Sequence, residues 1–183
     1  MDLEVLGSDA VDAATRVELR RLWTRAFGDR FDDQDADHAF GGVHVLARDA
    51  GHLIGHASAV PRLLRFGDQP WRTVGYVEAV ATDPARQRQG MGRLVMERLH
   101  DEIVARWPVA LLSTGRATAF YESLGWERWL GLSYTQVGTA AVLDGEHGGL
   151  MVFHADGSVA LDRTDTLSVR FRTTRRPQVG LGT

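Results

Sequence analysis

Cysteine is absent from all 183 residues, which excludes disulfides, thiolate metal centres and a cysteine nucleophile. Lysine is absent as well: all 21 residues counted as Lys+Arg are arginine. A phosphate loop built around a lysine and any Schiff-base chemistry are therefore ruled out. Without asparagine there is no N-glycosylation acceptor. No apolar run approaches the roughly 20 residues that span a bilayer, so no membrane partner is expected. The first residues, Met1 to Leu6, carry two acids and no basic segment, unlike a secretory signal, and a cytoplasmic location is expected. A strong charge of either sign is lacking too. The formal charge is −3 with a pI near 6.1, which gives no general field for nucleic acid. What remains is an ordinary soluble balance, 44% hydrophobic and 25% charged in 20.2 kDa. It reads as one compact domain over residues 1–183.

No repeat or low-complexity linker divides the chain. Residues 10–27 show helical spacing, with Val17, Leu19, Leu22, Trp23, Ala26 and Phe27 near one stripe and arginines opposite. An acidic stretch follows, containing Asp29, Asp32, Asp33, Asp35 and Asp37, which reads as a loop leading into a short helix that ends at Gly41-Gly42. Apolar runs at 43–48 and 53–60, around Asp49-Ala50-Gly51, signal a hairpin. Runs at 63–66 and 73–82 continue an antiparallel meander that stops at Asp83-Pro84. Residues 90–106 give the clearest helix, because Met91, Val95, Leu99 and Ile103 recur every four residues. A short buried strand is expected at 109–112, a short helix at 117–124, and mainly strand at 126–135, 140–143, 150–154 and 167–171. This order implies an α/β or α+β domain with helices packed on a mixed sheet.

The chemistry concentrates where the strand ending at Thr82 runs into a turn and then a long helix. The turn reads Arg86-Gln87-Arg88-Gln89-Gly90-Met91-Gly92-Arg93. Backbone N–H groups at a helix start lack intrahelical partners and sit at the positive end of the macrodipole. Gly90 and Gly92 allow a diphosphate to approach that backbone, and arginines add charge-assisted donors. A solvent-exposed helix start is the plain alternative, but the Gln87-x-x-Gly90-x-Gly92 spacing after an apolar strand favours an anionic ligand.

This segment resembles the acetyl-CoA motif of the GNAT N-acetyltransferases, Gln/Arg-x-x-Gly-x-Gly/Ala. Ala119-Phe120-Tyr121-Glu122-Ser123-Leu124-Gly125-Trp126, after the strand at 110–113, is similar to a second element of that superfamily. A closer resemblance, to the aminoglycoside 2'-N-acetyltransferases, spans nearly the whole chain. It includes Gly28-Asp29, Gly41 to Val45, Gly55-His56-Ala57, Gly75 to Ala79, Arg88 to Arg93, Tyr121, Gly125-Trp126, Gly148-Gly149 and Ala155-Asp156-Gly157.

The resemblance implies a GNAT fold: a mixed, mostly antiparallel sheet flanked by helices, with a splayed parallel pair at the acetyl-CoA site. It implies acetyl-CoA as cosubstrate, held by Val80 and Thr82 along the strand and by Gln87, Arg88, Gln89, Gly90, Met91, Gly92 and Arg93 in the turn. The Val80 N–H is the implied donor to the thioester carbonyl. Glu78 is the implied general base, acting through a water, and Tyr121 the general acid. Asp35 falls on the subfamily's acidic substrate contact, and Glu78 faces the same amine. A small-molecule amine is the implied partner, an aminoglycoside 2'-amine favoured, and a homodimer is compatible with the late strand-rich segment.

The other acids near Asp35 read equally as a solvated face. The seven histidines show no metal spacing, and no metal is expected. The tail departs from the subfamily pattern, with an aromatic at Phe171 but arginines at 170, 172, 175 and 176 where acids belong. That departure favours a second reading, acetylation of another metabolite amine or a peptide amine. A third reading, a non-catalytic acyl-CoA-binding domain, fits less well because both Glu78 and Tyr121 are present.

Overall fold

The computed structural model describes residues 1–137, 139–143 and 149–170. His147, Gly148 and the tail from Phe171 lie outside that range. A first strand, β1 (Asp2–Gly7), precedes helix α1 (Ala13–Phe27) and the short helix α2 (Asp33–His38). Three strands follow, β2 (Val43–Asp49), β3 (His52–Phe66) and β4 (Arg72–Thr82), leading to the long helix α3 (Met91–Val104). Then come β5 (Val109–Ser113), α4 (Thr118–Glu122), β6 (Glu127–Arg128), β7 (Ser133–Val137), β8 (Ala140–Leu143), β9 (Leu150–His154) and β10 (Leu167–Arg170).

The sheet has ten strands, ordered β6-β9-β5-β4-β3-β10-β7-β8, with β2 on β3 and β1 on β2. It forks along β3. Residues 52–59 of β3 pair antiparallel with β2, and residues 63–66 pair antiparallel with β10. Pro61, which has no N–H to give a neighbour, sits between the two pairings. The runs at 53–60 and 63–66 are therefore one strand, because β4 pairs with it from Gly55 to Leu64 without interruption at the proline. β4 and β5 form the parallel pair, in register only at Gly75–Ala110 and Tyr76–Leu111. Beyond those residues the two strands separate.

Helix α1 starts where the Asp12 carboxylate accepts from the Thr15 N–H at 2.7 Å, and it stops at Gly28 with φ +63°. It buries Leu19, Leu22 and Trp23 against Leu46, Leu53 and Ala81. Val17 is 51% exposed, because the buried stripe is set by the 19-22-23 spacing and Val17 lies off it. On the opposite face α3 buries Met91, Val95, Met96, Leu99 and Ile103 against Val43, Val45, Ala47 and Ala57. A third cluster joins Leu64, Phe66, Val74, Leu111, Trp129 and Val152 beneath the late strands.

One strand was not anticipated and one expectation changes. Residues 2–7 form an edge strand, a pairing that depends on β2 some 40 positions away, with Asp2 opposite Arg48. The expected strand at 126–135 breaks into β6 and β7, because the Leu130 and Gly131 amides both turn to the Arg163 carbonyl at 2.8 and 2.9 Å. A Cβ on Gly131 would lie 1.7 Å from the Asp165 carbonyl oxygen, so only glycine fits there.

Leu99 is fully buried at the centre of the α3 contact. Replacing it with alanine should cost about 2–5 kcal/mol. Urea unfolding should show a lower midpoint with an unchanged slope.

Candidate active site

The separation of β4 from β5 opens a cleft of about 460 Å³. Tyr76 to Val80 line one wall and Leu112 to Gly115 the other, and Tyr121 is part of the lining. Phe27, Phe31, Asp35 and His38 contribute from the α1–α2 side. Glu78, Val80, Tyr121 and Asp35, four residues singled out in the sequence, thus meet at one cleft.

The wall at Glu78 is irregular for a reason visible in the register. His56 pairs with Ala81 and Ser58 with Glu78, so β4 spends one more residue than β3 over this step. That is a β-bulge, and it carries Ala79 at φ +51°. A non-glycine residue there costs on the order of 1–3 kcal/mol and persists only when its surroundings hold it. The bulge shifts the alternation of the strand, so Val77 and Val80, an odd and an even position, both pack on the α3 side. Glu78, Ala79 and Val80 line the cleft, as do Tyr76 and Val77 before them.

Glu78 faces a buried cation. Its Oε1 lies 3.5 Å from the Arg62 Nη2, and that nitrogen also donates to the His38 carbonyl at 3.0 Å. The Arg62 side chain is 3% exposed and that of Glu78 is 20% exposed. A guanidinium at this depth needs its partners, since a buried charge stripped of one is left costly. The pair ties Glu78 to the end of α2. Sequence reasoning missed Arg62. The signal was present: Arg62, Leu64 and Phe66 alternate on the buried side of β3, and a charged residue at an inward position has to meet something.

Tyr121 is buried, and burial pushes its phenol up to about 12. Its ring packs edge-on to Phe120 at 5.0 Å and to Trp126 at 6.2 Å. The hydroxyl is therefore a protonated donor at neutral pH. Asp35 has a second duty, because its carboxylate accepts from the Asp32 N–H at 3.0 Å as the return half of a capping box. Asp33 pairs with Arg20 at 2.9 Å. Asp32 and Asp35 thus start the short helix expected after Gly28.

The glycine-rich turn lies beside the cleft rather than in it. Gly90 begins α3 at φ +82°, with no side-chain cap on the helix. The first amides of α3 are thus left to an external acceptor. Gly92 has a different role from Gly90: a Cβ there would touch Phe120 and Thr82 at 3.5 and 3.6 Å, which is ordinary contact. The Met91 side chain packs into the core, so it offers only its backbone. Arg93 is turned toward the protein, on Ser123 Oγ at 2.7 Å and Glu97 at 3.4 Å. Arg86 is engaged by Asp49 at 2.5 Å. Arg88, at φ +61°, and Gln87 are exposed. Gln89 donates to the Ala85 carbonyl at 3.2 Å. Of the turn's arginines, Arg88 is thus the cation facing solvent without an ion pair among the described residues. No group of three or more metal-ligating side chains occurs among the described residues.

A family model described as Acetyltransferase (GNAT) domain matches residues 10–129. The chain belongs to the GNAT family. It is similar to the aminoglycoside 2'-N-acetyltransferase of Mycolicibacterium fortuitum, with 37% identity over 122 residues, covering 66% of this chain and 62% of that protein. The match thus spans less than two thirds of that relative's length. A shorter stretch of 51 residues is 45% identical to the ribosomal protein bS18-alanine N-acetyltransferase of Escherichia coli strain K12, covering 25% of this chain and 34% of that one. The crystal structure of the GNAT family N-acetyltransferase YhbS from Escherichia coli, in complex with CoA, superposes with a TM-score of 0.66 at 14% identity, over 93% of this chain and 89% of that one. That likeness is one of fold, and it includes the mixed sheet whose parallel strands part beside the cleft. No helix of the described GNAT chain is long and apolar enough to cross a membrane.

The raised Tyr121 phenol has a measurable signature. A folded-state value above the unfolded one favours the protonated form, so its contribution to stability is whole below about pH 10 and is lost as pH rises through 12. Phenolate absorbance of the wild type minus that of Tyr121→Phe should rise near pH 12 in the folded protein and near pH 10 after denaturation.

Proposed function

We propose that this GNAT protein transfers an acetyl group from acetyl-CoA to a primary amine of a small cationic acceptor, with an aminoglycoside 2'-amine favoured. The observation that carries the reading is the meeting of Glu78, Val80 and Tyr121 at the gap between β4 and β5. A carboxylate, a backbone donor and a phenol are the parts that amide formation from a thioester requires. The uncapped start of α3 at Gly90 supports a pyrophosphate close by. The edge of β4 released by β5 beyond Tyr76 supports an extended pantetheine arm paired at Val80 and Thr82.

Bound acetyl-CoA supplies an activated acetyl carbonyl on a sulfur leaving group. Glu78, paired with Arg62, takes a proton from the acceptor's ammonium through a water, which frees the nitrogen lone pair. The nitrogen forms its bond to the acetyl carbon. The Val80 N–H donates to the carbonyl oxygen as charge gathers there. The carbon–sulfur bond breaks, the nitrogen gives up its second proton to solvent, Tyr121 gives its phenolic proton to the departing sulfur, and solvent returns a proton to the tyrosine. Arg88 and the Gln87, Gln89, Gly90, Met91, Gly92 and Arg93 backbone are the turn's assigned diphosphate donors.

On the acceptor side, Asp35 and Glu78 give the cleft carboxylates, and Phe27 and Phe31 give it a stacked aromatic wall with ring centroids 5.1 Å apart. Carboxylates beside apolar rings suit a polyamine sugar, which offers cationic nitrogens and apolar ring faces. The likeness to the Mycolicibacterium fortuitum enzyme supports the same acceptor. The second reading, a peptide amine, draws on the stretch shared with the bS18-alanine enzyme.

Thiol release from acetyl-CoA tests both the chemistry and the acceptor, and a cysteine-free protein adds no background thiol. Turnover is expected with aminoglycosides bearing a 2'-amine and not with those bearing a 2'-hydroxyl. Glu78→Gln should lower kcat by about 10²–10⁴ while leaving acetyl-CoA affinity unchanged. Equal turnover by the variant across pH contradicts the base assignment. Turnover only with peptide amines moves the acceptor to the second reading.

A further inference from the structure

A buried hydrogen-bond chain runs behind the bulge, and its direction can be worked out. Ser8 Oγ lies 2.7 Å from His44 Nε2, His44 Nδ1 lies 3.0 Å from His56 Nε2, and His56 Nδ1 lies 2.9 Å from the Ala79 carbonyl oxygen. Both imidazoles are fully buried. Burial pushes His44 down to about 4 and His56 to about 3, so each carries one ring proton at neutral pH.

The starting point is the serine. Ser8 Oγ accepts from the Gly41 N–H at 2.7 Å and from the Gly42 N–H at 3.0 Å. A hydroxyl has two lone pairs and one proton, so its accepting capacity is used and its proton must go outward. The Gly42 carbonyl is the farther candidate, at 3.2 Å against 2.7 Å for His44 Nε2. The proton therefore goes to His44 Nε2. Each later link follows: His44 holds its proton on Nδ1 and donates to His56 Nε2, and His56 holds its proton on Nδ1 and donates to Ala79. The opposite polarity would give the Trp23 indole N–H, 3.2 Å from His56 Nδ1, an acceptor. It would also set three donors against the two lone pairs of Ser8 and take this donor from Ala79.

We infer that His56 is a positioning residue for acetyl transfer: its Nδ1–H, oriented through His44 by Ser8, holds the Ala79 carbonyl and so keeps the left-handed bulge that sets Glu78 and the Val80 N–H. The consequence for the reaction rests on the function proposed above; the proton placement and the effect on the bulge do not. Through Ser8 the same chain reaches Gly41-Gly42, the turn directly after the helix that carries Asp35. The acceptor wall and the thioester wall are thus fastened by one set of hydrogen bonds.

Three substitutions at His56 separate this role from mere filling of space. An asparagine amide nitrogen stands as many bonds from Cα as Nδ1 does, so His56→Asn keeps a donor for Ala79. The glutamine amide reaches as far as Nε2, and leucine offers no donor. In folded variants, His56→Asn should keep kcat within about threefold of wild type. His56→Gln and His56→Leu should lower it about tenfold or more, part of the roughly 10²–10³ lost when an oxyanion donor is removed outright. The acetyl-CoA KM should change little. Long-range nitrogen NMR of the wild type should find both imidazoles protonated at Nδ1, and the carbon shifts of Ala79 should report a left-handed residue in wild type and His56→Asn but not in His56→Leu. That arm stands even if no acceptor turns over. Protonation at Nε2, an Ala79 shift unmoved by His56→Leu, or equal loss of kcat in the asparagine and leucine variants would overturn the inference.

Discussion

The cleft depends on one residue more in β4 than its partner strand can match. Without the extra residue, regular alternation would send Val77 and Val80 to opposite faces of the sheet. With it, both pack on the α3 side, and Glu78 and Val80 line the same opening. The strand also parts from β5 after Tyr76, just before the bulge. A single irregularity therefore supplies a carboxylate and a candidate backbone donor at one place. Its cost, a left-handed alanine, is on the order of what one or two hydrogen bonds return, which is why the buried donors behind it matter.

The charges follow the same economy of position. Arg62 is buried deeply enough to demand a carboxylate, and Glu78 is the carboxylate that also faces the cleft. Tyr121 is buried deeply enough to stay protonated, and it lines the same opening.

Much of this was legible in the residues. The fourfold spacing of Met91, Val95, Leu99 and Ile103 marks α3, and the Gln87-x-x-Gly90-x-Gly92 turn marks its uncapped start. Glu78 and Tyr121 were found by motif and do meet at the cleft. The bulge was not legible, because Ala79 and Val80 are ordinary strand residues and their irregularity is a mismatch with His56 and Ser58 on another strand. The role of Ser8 was hidden for a similar reason, since its partners lie 33 to 36 positions away. The histidines lacked metal spacing in the sequence, and two of them lie in a line of hydrogen bonds that no local pattern reveals. Arginines expected to meet phosphate proved harder to assign, because Arg86 and Arg93 had nearer partners in Asp49, Ser123 and Glu97.

The central claim is that the bulge aims a fixed backbone donor at an acetyl thioester. The most direct test is isotope-edited infrared spectroscopy of the acetyl carbonyl when acetyl-CoA saturates the protein. A fixed N–H donor should draw the carbonyl stretch below its frequency in free acetyl-CoA, before any amine is added. A bound carbonyl with the frequency it has in water would mean that no such donor meets it, and the account of this cleft would be wrong.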